Sequence, residues 1–163
     1  MTRNSDGVKG ANSRSLTNSA IREPDQILYG ESIPTSGKVL IIAGSQSATD
    51  ELSEPGLSLL IDSAIESLPF NPIAVISGGA DGVDTFGEKW ADKNDLPIAR
   101  FEPEWDDIDH PDAVVREGQY GKYDAAAGPR RNRWMAEYAK FYAEQGALLA
   151  LPDLPSSGTE SMI

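Results

Sequence analysis

The sequence predicts a three-layer α/β domain with a mostly parallel sheet, and three observations carry that prediction. Short, continuously apolar runs alternate with stretches whose apolar residues recur at helical spacing, and the runs end at glycine or serine. Runs that are apolar at every position suit strands covered on both faces, as in a parallel sheet between helices. Strictly alternating strand and helix then implies right-handed crossovers between parallel neighbours.

The elements follow in order. Residues 1–37 are turn-rich and form an N-terminal extension, of which at least residues 1–20 have the polar composition of a disordered tail. Within it, Ile27-Leu28-Tyr29 is the stretch able to pack on the domain. Val39-Leu40-Ile41-Ile42-Ala43 is the first strand and stops at Gly44-Ser45. Leu57, Leu60, Ile61, Ala64, Ile65 and Leu68 mark a helix that Pro69 closes. The second strand, 73–77, ends at Ser77-Gly78-Gly79, and Val83, Phe86, Gly87, Trp90 and Ala91 lie on one face of the next helix. Pro97 introduces a third strand over 98–102. Residues 103–127, rich in acids, glycines and aromatics, are long for a connection and read as a lid or a weakly ordered insertion. A helix resumes near Pro129 and carries Trp134, Met135, Tyr138 and Phe141, and the fourth strand is 147–151. The expected spatial order is third, second, first, fourth (3-2-1-4), with the ligand crevice at the break between the first and fourth strands.

Composition removes several classes of chemistry. The chain has 163 residues, enough for one domain that needs no disulfide or metal staple. There is no cysteine and only one histidine, His110, so thiolate nucleophiles, disulfides and multi-histidine metal centres are excluded. No metal site and no cofactor is expected. The formal net charge of -12 opposes general binding to nucleic acid or anionic membranes. That acidity suits either a high-salt cytoplasm or an acidic-surfaced protein of an ordinary host. No apolar stretch approaches a membrane span and the start lacks a secretory core, so the cytoplasm is the expected location.

The chemistry-bearing residues cluster at strand ends. Gly44-Ser45 pairs close backbone approach with a hydroxyl, although a plain strand-ending turn has the same composition. Gly78 and Gly79 permit a tight turn whose amides form an anion nest at the next helix N-terminus. Neither the GxGxxG fingerprint nor a Walker pattern is present, which disfavours dehydrogenases and P-loop ATPases. Asp84 is suited to a ribose or a base amine, or to holding a basic ligand-binding side chain; its alternative is a first-turn acid on the helix dipole. Glu88 reads as a surface residue. The run Gly128-Pro129-Arg130-Arg131-Asn132 sets arginines where a helix dipole disfavours them unless an anion is bound. Gly158 and Thr159 would cap a further helix and offer donors to an anion. His110, among Asp106, Asp107, Asp109 and Asp112, reads as part of a solvated loop, and Tyr120 and Tyr123 stay open between base stacking, lid packing and surface anchoring.

Taken as an ordered set, Gly44-Ser45, Ser77-Gly78-Gly79-Ala80-Asp81-Gly82-Val83-Asp84, Ala127-Gly128-Pro129-Arg130-Arg131-Asn132 and Gly158-Thr159-Glu160-Ser161-Met162 resemble the YspA/YpsA-like branch of the SLOG superfamily. The resemblance runs from Val39 to Ile163. It implies a Rossmann-like three-layer sandwich over 38–163 that binds nucleotides or their derivatives at the carboxyl ends of its strands. The binding set it implies is Gly44, Ser45, Gly78, Gly79, Asp84, Arg131, Asn132, Gly158 and Thr159, with Arg130 at a less restricted position. Asp84 and Glu160 are the candidate catalytic carboxylates. The LOG-type hydrolase pattern, however, places its acid where this chain has Met162, and Ser156-Ser157 replace an expected glycine pair. Three roles follow: binding or sensing of a phosphorylated nucleotide-derived small molecule, hydrolysis or transfer on such a ligand, and a DNA-processing accessory. The last is opposed by the acidity and by the lack of an aromatic-basic stripe. Homo-oligomerisation stays open. So does the last helix, which is a stub, is replaced in packing by the N-terminal region, or belongs to a truncated chain.

Overall fold

The computed structural model describes residues 21–44, 54–142 and 147–151. Its central sheet has five strands: β1 (Gln26–Leu28), β2 (Lys38–Gly44), β3 (Pro72–Ser77), β4 (Ile98–Arg100) and β7 (Ala147–Leu151). Two further strands, β5 (Val115–Gly118) and β6 (Gly121–Asp124), form a separate antiparallel hairpin. The helices are α1 (Glu54–Glu66), α2 (Val83–Lys93) and α3 (Ala127–Tyr142).

The expected strand order is corrected. The sheet runs β1-β4-β3-β2-β7, because a strand from within residues 1–37 enters at one edge. β1 pairs antiparallel with β4, Ile27 opposite Ala99. Beyond it the segments 98–100, 72–77, 38–44 and 147–151 lie side by side, and each of their pairings is parallel. Three residues make too short a run for periodicity to reveal, and side-chain clamps supply what length does not. The Asp25 amide donates to the Arg100 carbonyl at 2.9 Å, and the Asp25 carboxylate accepts the Glu102 amide at 2.8 Å. Arg22 donates to Asp25 and to Glu104, and its guanidinium lies 4.9 Å from the Trp134 ring centroid.

Alternation along the strands builds two cores. Val39, Ile41 and Ala43 of β2 join Ala74, Ile76, Phe101, Met135 and Tyr138 beneath α3. Leu40 and Ile42 face the other way, onto Leu57, Ile61, Ile65, Val83 and Ala91 of α1 and α2. The sheet is thus covered on both sides, which is why its strands read as continuous apolar runs. Leu60, placed on the buried face of α1 by its spacing, is instead 43% exposed. The stretch after β4 contains the β5–β6 hairpin, whose tip residue Tyr120 is 96% exposed. No helix among the described residues is long and apolar enough to cross a membrane. The reading of residues 1–20 as disordered, and that of the last helix, lie outside the described residues.

Candidate functional site

The carboxyl ends of β2 and β3 converge on the first turns of α2 and α3. Gly44 ends β2, and Gly78 and Gly79 follow β3. The turn closes on itself: the Gly79 amide donates to Ser77 Oγ at 3.0 Å, and Thr85 Oγ1 donates to the Ala80 carbonyl at 3.0 Å. Gly79 has φ +66° and Gly82, which caps α2, has φ +96°. An L-side chain adopts the Gly82 conformation only with strain, so glycine at this position sets the angle at which α2 leaves the turn.

Asp84, in the first turn of α2, is buried at 4% exposure. Its carboxylate accepts the Ala80 amide at 3.4 Å and takes further amide hydrogen bonds from Gly44 and Gly78. Arg131 approaches from α3 and donates through Nη1 to the Gly78 carbonyl and through Nε to Asn132 Oδ1, the latter at 2.9 Å. The approach is so close that a Cβ on Gly78 would fall against the Arg131 guanidinium and 2.8 Å from Asp84 Oδ2. Burial pushes the Asp84 carboxyl up, and the Arg131 charge with the amides of Ala80, Gly44 and Gly78 only partly offsets it. Burial likewise lowers Arg131, against the raising effect of Asp84.

The structure therefore brings Gly44, Gly78, Asp84, Arg131 and Asn132 to one end of the sheet, with Gly79 exposed beside them. The amides read from the sequence as an anion nest are here engaged within the chain, two by Asp84 and one by Ser77. Ser45, Gly158, Thr159 and Glu160 lie outside the described residues.

Two neighbouring networks differ from the sequence reading. Glu88 is not a surface residue, since its side chain is 13% exposed. It accepts from Ser77 Oγ at 2.7 Å and from Arg100 Nε at 2.9 Å, with a second, close contact to Arg100 Nη2. That hydrogen bond is the largest influence holding Arg100 above its usual value. Arg100 in turn lies over Gly79, so the network braces the turn. Arg130 is not a solvated charge. Its Nη2 donates to Asp124 Oδ2 at 2.7 Å, and the two side chains are 5% and 0% exposed. Burial pushes the Asp124 carboxyl up, but the amides of Val114 and Ala126 together with Arg130 outweigh it and hold the carboxyl below its usual range. An acid three residues before a helix that opens with arginines was the available signal.

The remaining candidates are peripheral. Arg133 is exposed. His110 Nδ1 accepts the Asp112 amide at 3.0 Å within its own loop, and the described residues contain no cluster of acids and histidine able to hold a metal. Tyr123 packs edge-on against Trp105 at 6.5 Å.

No curated protein and no solved structure matches the chain. One family model does, that of the YspA, cpYpsA-related SLOG family (YAcAr), over residues 38–107. The matched stretch contains β2, β3, β4, the Gly78–Gly79 turn and Asp84, and stops before α3 and its Arg131. Over residues 38–107 the chain is similar to the YspA, cpYpsA-related SLOG family.

Proposed function

We propose that the ends of β2 and β3 bind a nucleotide or a phosphorylated nucleotide-derived small molecule, and that the domain acts in binding or sensing. The observation that carries this reading is the Asp84–Arg131 pair, set where two parallel strand ends meet the starts of two helices. Burying two opposite charges that share no salt bridge costs desolvation, so stability alone is a weak reason to keep them there. A guanidinium here offers forked hydrogen bonds to phosphate, and a carboxylate in the first turn of a neighbouring helix can accept from a ribose hydroxyl. A phosphate would draw Arg131 from the Gly78 carbonyl, to which it now donates.

Calorimetry with nucleoside monophosphates, cyclic nucleotides and ADP-ribose, at high and low salt, tests the proposal. At least one should bind saturably, and Arg131→Ala should weaken that ligand by about 1.5–3 kcal/mol, the worth of a hydrogen bond to a charged group. Absence of saturable binding at every salt concentration discards it.

A second reading, hydrolysis or transfer on the same ligand class, is favoured by the raised Asp84 carboxyl, because a shift in that direction suits acid–base work. Glu160 is its other candidate carboxylate. Chromatography of the same mixtures for released base or phosphate decides it. Turnover lost in Asp84→Asn or Glu160→Gln, with folding intact, would make the protein an enzyme.

A further inference from the structure

The outer surface of the α1–α2 layer carries a groove of about 300 Å³ walled by Pro55, Ile61, Phe86 and Trp90. Asp62 stands on its α1 side, with Lys89 and Lys93 on its α2 side. At Asp62 and Trp90 it continues into a second groove of about 370 Å³, to which α1 adds Glu66. Next to the groove-lining Ser58, Leu59 leaves 69% of its surface exposed. One face therefore carries an apolar knob, an apolar trough with two aromatic side chains on its α2 wall, an acidic rim and a basic rim.

We infer that this face pairs with the same face of a second copy of the chain, Leu59 of each entering the other's groove beside Trp90. An isologous contact requires a patch that is its own complement. The α1–α2 face meets that requirement. Both helices pack side by side on one face of the sheet, so a two-fold axis along the groove sets α1 of one copy over α2 of the other. Asp62 and Glu66 of each copy then oppose Lys89 and Lys93 of the other. A wholly acidic partner would satisfy the lysines but set like charge against Asp62 and Glu66, a costly juxtaposition. Each copy carries a net charge of -12, so long-range repulsion opposes the encounter and added salt should strengthen association.

Sedimentation of the full chain from micromolar to millimolar concentration, at low and high salt, tests the pairing. The chain should dimerise, more tightly in salt. Leu59→Glu should weaken the dimer by at least about tenfold, since burying a leucine is worth about 1.5–3 kcal/mol. An unchanged circular dichroism spectrum and melting midpoint separate lost pairing from lost folding. Lys93→Glu should also weaken the dimer, and adding Asp62→Lys to that variant should restore it. A chain that stays monomeric throughout overturns the inference, as does a dimer indifferent to Leu59→Glu or a double reversal that restores nothing.

Discussion

Gly78→Ala sets a methyl group where the Arg131 guanidinium and Asp84 Oδ2 now lie, so both side chains must shift. These are the ends of flexible side chains, so the cost is that of the hydrogen bonds lost as they move, about 0.5–1.5 kcal/mol each. Urea titration should show a lower midpoint at an unchanged slope, and ligand affinity should fall with it. The two buried aspartates should respond to pH with opposite signs. Asp124 is held low, so its contribution is fully present above the unfolded carboxyl value and is lost as pH falls through its folded value. Asp84 is held high, so its ionisation penalises the fold increasingly as pH rises from the unfolded value through the folded one. Between about pH 3 and 7, the span over which perturbed carboxyls commonly titrate, the stability of Asp124→Asn should fall progressively further below wild type. That of Asp84→Asn should move in its favour. Parallel drifts in denaturation series would contradict these assignments. Gly44, Gly78, Asp84 and Arg131 were legible in the sequence because strand ends and helix starts in a parallel sheet share one side. What the amides bind was not legible, since no one-dimensional pattern distinguishes a nest for a ligand from one already filled by Asp84.

At the scale of elements, β2 and β3 were legible because burial on both faces leaves them apolar at successive positions. β1 was not, because a three-residue edge strand held by Asp25 and Arg22 depends on partners far along the chain. Glu88 was misassigned for a related reason. Its partners, Ser77 and Arg100, come from two strands that only the sheet order brings beside α2. The seating of α2 on the sheet depends on Gly87, where an added Cβ would come within 2.8 Å of Ile42 Cβ and Cγ2. Gly87→Ala should therefore destabilise the chain by about 1–3 kcal/mol despite the better helix propensity of alanine. Ile42→Ala keeps the Cβ but removes Cγ2, so the double variant should be less destabilised than the sum of the two single changes, as a double-mutant cycle in thermal unfolding would show.

For the molecule as a whole, 26 acids against 14 bases make self-repulsion a general load on the compact state. The melting midpoint should rise with sodium chloride through the range in which the Debye length shrinks from about 10 Å to 3 Å. A flat response would mean that the ion pairs already balance the surface locally. The same charge helps keep copies from aggregating, but it does not protect a bare sheet edge. That protection falls to β1. Its three residues cover the outer hydrogen-bonding groups of Ile98–Arg100, in a strand whose Ile98 and Ala99 are fully buried. Proteolysis that detached the segment through Leu28 would leave β4 as an open template for strands of other molecules. A chain beginning at Tyr29, which keeps the buried Ile33, should then seed fibrils detectable by thioflavin fluorescence while the intact chain stays dispersed, making this short segment a guard against polymerisation.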